Sequence, residues 1–589
     1  MGEEDDEPEN PRAWCELAVA HLAAGRPEAA LRAATAAAEL DPLSEWAHRL
    51  VSLGHSRIGD DREALAPARE AVRLAPGSWP SRVRLAEVLR RTPGRWGEAR
   101  EQAGLAARFA PEEPEPQVVL GDLALLRGAH REAATHYRTA LSTSPPAREP
   151  DAGGQERGAR GQARINLGLA LLRWDRPRAH HDPAWPVDPR ETGRARRALE
   201  VWSRQVRLLL AVTTLAVAGA ALALDRGGEA RLAGVAVLLA VVPITVRQAR
   251  RVRLWSHVPA MLARDPWLGT AVASAVLSVA AFTLWLVLPV VPATPGLAPV
   301  LDPLWAGLAG VVVLGWPALA GVRLFAEVWR GRPVLALEQF AAAAGERVAR
   351  RDVVVARWLL VGRAWSAQLA LAVVALAVDP RGAVLGLAVP YLLHRASRRG
   401  GPVTGDRWLG VAFALVLAGA VACATGGLTG WVWAWRAGLG AKLAVVLVFA
   451  LRAVRAWWRG APGPGRASLL MAEDLLDAET RPPVALDPEV RQALAYARGV
   501  VVAFGDERGP RVAGVIGTVS ALGELRLIAG EEVWAAIGTD PRVAVFAADA
   551  LRRRYWVEVR GVAWAEGDLV RVTPKQVLVT EFPGRHQRR

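Results

Sequence analysis

The sequence predicts a multidomain chain: an all-α superhelix of repeats, a polytopic α-helical membrane domain of about eight spans, and a small C-terminal antiparallel β barrel. Three observations predict it. A recurrence of 34 to 35 residues runs through the first 145, eight apolar runs have flanking loops that alternate in positive charge, and six short alternating strands follow. The divisions fall at 1–175, a linker at 176–204, the membrane block at 205–457, a linker with a short helix at 458–484, and the barrel at 485–589. With 52% apolar residues the chain is not disordered throughout. Cys15 and Cys423 are the only cysteines, which excludes a disulfide scaffold. A mean hydropathy of +0.16, with the apolar residues bunched in the middle third, excludes an ordinary soluble enzyme.

The repeat is carried by four columns. Gly25, Gly59, Gly94 and Gly128 keep one spacing, and so do Ala30, Ala64, Ala99 and Ala133. Ala37, Ala71, Ala106 and Ala140 form the third column, and Pro42, Pro76, Pro111 and Pro145 the fourth. The Gly suits a left-handed helix cap, the Ala a close approach of two helices, and the Pro the end of one unit and the start of the next. This part resembles the tetratricopeptide repeat family, in GRPEAALRAATAAAELDP and the three segments in register with it. The resemblance implies four repeats that stack into a superhelix with a concave, protein-binding groove. Arg49, Arg82, Arg84 and Asp122 fall at groove positions. RINLGLALLRW (Arg164 to Trp174) reads as the first helix of a fifth unit with no second helix after it, because Pro177, Pro183, Pro186 and Pro189 follow. Pro145 to Gly161 reads as a disordered loop, and His180-His181-Asp182 as polar linker rather than a metal site.

The apolar runs are Leu208–Leu224, Leu232–Val246, Trp267–Val291, Leu304–Val322, Ala364–Val378, Gly382–Leu393, Trp408–Trp433 and Leu443–Leu451. The second, fifth, sixth and eighth are short against the roughly 20 residues a span needs. Arg clusters precede the first run and follow the second, fourth, sixth and eighth, while the alternate loops are nearly bare. By the positive-inside rule this gives eight spans in a bacterial inner (plasma) membrane with both termini cytoplasmic. No cleaved signal peptide is visible in MGEEDDEPEN. The net charge of +15 therefore faces lipid headgroups, and no nucleic-acid partner is expected. No Asp or Glu falls inside a run, which argues against a proton-driven transporter; Gln368 and Lys442 are the polar residues at depth.

After Gly460 to Gly465, Arg466 to Glu479 reads as a short helix and Asp487 to Ala497 as another. Strands are expected at Gly499–Phe504, Val512–Thr518, Glu524–Ile528, Val543–Ala547, Tyr555–Trp564 and Leu569–Val572. VVVAFGDERGPRVAGV, TDPRVAVFAAD, YWVEVRGVAWAEGD and RVTPKQVLV resemble the pyridoxamine 5'-phosphate oxidase-like FMN-binding split barrel family. The resemblance implies a homodimer whose interface holds FMN or a deazaflavin, with a basic segment on the phosphate. Here that segment is Gly530 to Thr539, with Glu531 and Glu532 and no Lys or Arg. Two carboxylates repel a phosphate. The candidates to offset them are Arg511, Arg552, Arg553 and Arg554; no catalytic residue and no metal ligand is assigned. The expected function is a membrane-anchored protein-interaction scaffold whose barrel has lost its cofactor. The alternatives are a membrane-tethered flavin- or deazaflavin-dependent oxidoreductase and a transporter with accessory domains.

Overall fold

The structure, a computed structural model, describes residues 10–143 (without 93), 158–174, 195–287 (without 208, 211–212, 214–226 and 265), 332–398 (without 344–346), 406–458, and 469–581 (without 498, 521–523 and 549–554). Eight helices form four consecutive antiparallel pairs: α1 (Pro11–Ala23), α2 (Pro27–Leu40), α3 (Glu45–Ile58), α4 (Leu65–Leu74), α5 (Trp79–Arg91), α6 (Trp96–Phe109), α7 (Glu115–Arg127) and α8 (His130–Thr143). The columns behave as their chemistry requires. Gly25, Gly59, Gly94 and Gly128 adopt φ of 70°, 98°, 78° and 79°, a left-handed conformation open to Gly without strain. All eight Ala of the two columns are at most 1% exposed. Pro42, Pro76 and Pro111 sit in the turns before α3, α5 and α7 rather than at their first positions; Ser44 and Ser78 cap α3 and α5 instead.

The fifth unit is complete, and its second helix comes from the far side of a long insertion. The helix α9 (Ala159–Leu171) packs against the helix Arg332–Ala342. A Cβ on Gly168 would lie 2.5 Å from the Phe340 ring, just as one on Gly121 would lie 2.5 Å from the ring of Tyr137 in the preceding unit. Ala336 and Ala343 flank Phe340 at the offsets that Ala133 and Ala140 keep from Tyr137, and all four are buried. Residues 175–331 are thus inserted between two helices of one repeat.

Among the described residues four helices are long and apolar enough to cross a membrane, against the eight expected spans: Leu232–Ala249, Val348–Leu376, Arg407–Thr429 and Val432–Arg452; a fifth results if the bent pair Trp255–Ala263 and Leu268–Leu284 is one span. Most of the first expected run and all of the fourth lie outside the described residues. The fifth run is longer than expected, because its helix starts at Arg347 and buries its first turns in the repeat core through Ala349 and Val353. The sixth is also longer but broken: a 3-10 helix, Pro380–Leu387, leads into Ala388–Arg398. Lys442 lies within the eighth, buried, with Nζ 3.4 Å from Gln368 Oε1.

Of the expected helix at Arg466 to Glu479, the described residues form only the last turn. Residues 469–476 are extended and only Asp477–Thr480 is helical. After a helix at Pro488–Tyr496, six strands pair antiparallel: β1 (Val500–Asp506), β2 (Gly509–Val519), β3 (Leu525–Ile528), β4 (Arg542–Ala548), β5 (Tyr555–Glu566) and β6 (Leu569–Glu581). Their order, β1-β2-β3-β6-β5-β4, closes on itself. Alternation places Val500, Val502, Phe504, Val543, Val545, Val557 and Val559 inside. β6 runs nine residues past its expected end, with an irregularity opposite Arg560/Gly561 that leaves Lys575 out of register. That bulge aims Lys575 at the repeats, where Nζ donates to Phe109 O at 3.3 Å and pairs with Glu112. Arg571 donates to Leu74 O, Arg108 Nη2 to Thr539 O at 2.9 Å, and Trp564 meets Phe109 edge-on at 6.4 Å. The barrel is seated on the turns of the second and third units.

Candidate functional site

The groove of the repeats is lined by the first helix of each unit, and it holds a segment of the same chain, residues 469–481. The segment is gripped largely by its backbone, which is why it is extended. Asn166 on α9 brackets Ala472, donating from Nδ2 to the carbonyl at 3.1 Å and accepting from the amide at 3.0 Å. Trp174 Nε1 donates to Leu469 O at 3.2 Å, and the Leu470 amide donates to Asp352 Oδ1 at 3.1 Å. At the other end Arg49 donates to Ala478 O at 2.8 Å and Arg481 O at 2.5 Å, and Trp46 Nε1 donates to Thr480 O at 3.1 Å. At the Leu469–Ala472 end these partners take amides and carbonyls that a helix would have used itself, and at the other they cap the turn Asp477–Thr480. Leu469, Ala472, Leu476 and Ala478 are buried beneath.

Charge fixes the register. Arg84 Nη1 meets Glu479 Oε1 at 2.6 Å with both side chains 4% exposed. The rest of the Arg84 guanidinium is held by Ser52, Nε to Oγ at 3.0 Å, and by Ser56. Burial pushes the Glu479 carboxyl up and Arg84 pulls it down; the pull wins, and its pKa lies below the usual carboxylate value. Arg481 reaches Glu113 at 2.8 Å and Glu115 at 3.6 Å and lies over the Trp79 ring. Burial pushes Glu115 up to about 7, more than Arg481 pulls it down.

Beneath the segment, Asp122 accepts from Tyr137 Oη at 2.6 Å, Gln162 Nε2 at 2.9 Å and Asn166 Nδ2 at 2.9 Å, with Arg90 Nη1 at 3.6 Å. Burial is the largest influence and pushes its carboxyl up to about 7. This network aligns the Asn166 amide on the segment. A cavity between groove and segment is lined by Arg57, Arg84, Glu87, Arg90, Gln162 and Glu473 among others. Arg90 Nε and Nη1, Glu87 Oε1 and Gln162 Oε1 have no hydrogen-bond partner there.

Of the residues expected at the groove, Arg49, Arg84 and Asp122 are brought together. Arg82 is not: it donates to Pro76 O and Gln102 and stacks over Phe109 and Trp564 at the barrel contact. Asn166 and the segment itself were missed. Asn166 was legible, with Gln162 one turn before it, as an amide on an otherwise apolar helix face. Of the flavin candidates, Arg552, Arg553 and Arg554 lie outside the described residues. Arg511 is paired with Glu532 at 2.8 Å and Asp506 at 3.3 Å. Glu531 and Glu532 occupy the first turn of the helix Glu531–Thr539, where they complement its dipole. The described residues at this segment do not fit a flavin phosphate: the acids are there, and the nearby guanidinium is already engaged. No group of His, Cys, Asp and Glu able to hold a metal occurs among the described residues; His180, His181 and Asp182 lie outside them.

No known family's sequence profile and no curated protein matches the chain. Among solved structures it is similar to one described as "Structure of Naa15/Naa10 bound to HypK-THB", at 14% identity and a TM-score of 0.22. The match covers 76% of this chain and 66% of that one. At that score the likeness carries no argument, and the repeat architecture rests on the helices, columns and turns described above.

Proposed function

We infer that the chain is a membrane-anchored scaffold whose tetratricopeptide-type groove binds an extended segment of protein. The observation that carries this is the groove's grip on 469–481: a buried Asn on the backbone and a buried Arg on a carboxylate are peptide-binding chemistry. The barrel, read as a split barrel without a working cofactor site, is a docked module. Its exposed Val501, Val512, Ile516 and Ile528 on neighbouring strands support pairing with a second copy.

Eight crossings with both termini on the cytoplasmic side remain the reading of the membrane block. The sixth is the broken helix from Pro380 to Arg398. Eight 3-10 residues and eleven α residues rise about 32 Å, against a hydrocarbon core of about 30 Å. Its start lies against Gly427 near the end of Arg407–Thr429, while Asp406, at that helix's other end, accepts from Trp358 Nε1 at 2.8 Å near the repeats. Arg452, closing the last span, lies over the same Trp358 ring.

A photo-crosslinking residue in place of Arg57, at the cavity edge, tests the scaffold reading in cells. Adducts to other proteins that vanish with Asn166→Ala are expected, from a chain that stays in membranes after an alkaline wash. Adducts to residues 469–481 alone, or release by the wash, would overturn it.

A further inference from the structure

The groove's occupant is part of the chain, so the nature of an outside partner can be read from what the occupant satisfies and what it leaves. Toward the groove the helices α3 and α5 carry five Arg, at 49, 57, 84, 90 and 91, against Glu45 and Glu87. Residues 469–481 carry four acids, Glu473, Asp474, Asp477 and Glu479, against Arg481. Opposite charge therefore selects the occupant. Yet the fit is incomplete. Arg84 is answered by Glu479 and Arg90 Nη2 by Glu87 at 2.6 Å, with Asp122 3.6 Å from Nη1; yet Arg90, 3% exposed, keeps Nε and Nη1 without hydrogen bonds, as Glu87 Oε1 and Gln162 Oε1 are. Buried polar atoms left unpaired weaken a complex, and a ligand that reaches them binds better. The occupant is also tethered, held at one end by Asp352 on the membrane helix and leading at the other into the barrel. A tethered ligand has a high effective concentration and holds the groove despite a modest fit.

We propose that residues 469–481 are an exchangeable strap, displaced by an extended acidic peptide segment of a partner protein. One carboxylate of that peptide takes the place of Glu479 on Arg84, and a second reaches Arg90. This rests on the scaffold reading of the groove and adds to it the chemical class of the partner and the means by which the groove is kept shut. Displacement frees the chain between Leu469 and Arg481 and with it the tie between membrane helix and barrel.

The test uses the full chain in detergent micelles and a fluorescein-labelled peptide with the sequence of residues 467–483, read by anisotropy. The wild-type chain should bind it weakly, because the strap competes. Glu479→Gln in the chain weakens the strap alone and should tighten binding at least tenfold. Adding Arg84→Met, which keeps the double variant free of a lone buried charge, should abolish that gain. A peptide carrying Glu479→Gln should bind the Glu479→Gln chain at least tenfold more weakly than the unaltered peptide does. Equal binding by wild-type and Glu479→Gln chains, or a gain that survives Arg84→Met, would overturn the proposal. Thermal melting followed by Trp fluorescence shows each variant folded. Failure here with protein adducts still formed at position 57 sinks the strap and spares the scaffold; adducts confined to 469–481 sink the scaffold.

Discussion

Glu479→Gln is the sharpest perturbation of the groove. Breaking a buried ion pair by removing one partner costs about 3 to 5 kcal/mol, because the other charge stays buried. Gln still accepts a hydrogen bond from Arg84, and Ser52 and Ser56 still hold the remaining guanidinium donors. A retained bond to a charged group returns about 1.5 kcal/mol, which leaves a loss of about 1.5 to 3.5 kcal/mol. The cost is bounded from above, since the strap can lift and let water reach Arg84. The loss therefore appears as strap opening, by about 10- to 300-fold at about 1.4 kcal/mol per decade. Hydrogen exchange reads it directly. The Ala472 amide donates to Asn166, Glu479 to Leu476 O and Arg481 to Asp477 O, and all three should lose protection together. The double variant Arg84→Met with Glu479→Gln, which strands no charge, should loosen the strap less than Glu479→Gln alone. Unchanged protection at these three amides would show that the pair does not hold the segment and refute the reasoning.

Gly168→Ala drives a methyl into the Phe340 ring and should cost about 1 to 3 kcal/mol by overpacking. Exchange protection at 332–342 should fall, and Phe340→Leu should restore part of it; an unaltered melt would refute the split fifth unit. Asp122 binds a proton when folded up to about 7, whereas the unfolded carboxyl releases it near 4. Its contribution thus declines as pH rises from about 4 to about 7, by up to about 1.4 kcal/mol per unit, and is level above. Asp122→Asn keeps the Tyr137 and Asn166 bonds, and Gln162 can turn its unpartnered Oε1 toward the new amide. The variant should therefore gain melting temperature relative to wild type across that interval, and a constant offset would contradict the assignment. Reporter fusions after Gly345 and Gly400 should read as cytoplasmic and one after Gly296 as external; any reversal removes the eight-crossing topology.

Most of the repeat array was legible because its rules are local. Only Gly takes the left-handed cap cheaply, and only Ala fits the closest helix contacts, so both columns survive in the sequence at one spacing. The second helix of the fifth unit has the same marks, Ala336, Phe340 and Ala343, but they stand more than 150 residues from α9. A search for period cannot cross an insertion of that size. The strap was misread for a different reason. Leu469, Ala472, Leu475, Leu476 and Glu479 fall at spacings an amphipathic helix also uses. What decides against a helix over 469–476 is Asn166 and Trp174 offering hydrogen bonds to its backbone, and those lie some 300 residues away. The barrel strands were placed within a few residues, since alternation with period two is local; the extension of β6 and the bulge at Lys575 answer to the repeats and not to β6 itself.

The split repeat also constrains the membrane block without any charge rule. The helix α9 and the helix Arg332–Ala342 pack side by side, with Phe340 filling the space over Gly168. Both therefore lie on one side of any membrane the chain crosses, and residues 175–331 can cross it only an even number of times. The same holds downstream. Leu470 is bound to Asp352 at the start of the helix Arg347–Ala377, so the chain leaves the repeats near residue 352 and is back at the same place by residue 470. Val348–Leu376, Arg407–Thr429 and Val432–Arg452 are three helices between those points that are long and apolar enough to cross a membrane. Three is odd, so a return to the starting side needs one more crossing. The stretch with the length and position to make it is Pro380–Arg398. A 3-10 segment is a poor span by hydropathy and helix length alone, but contact with Gly427 at one end and a short connection to Asp406 at the other fix its direction. Packing contacts thus supply for this stretch the direction that its own eleven-residue α-helix is too short to declare.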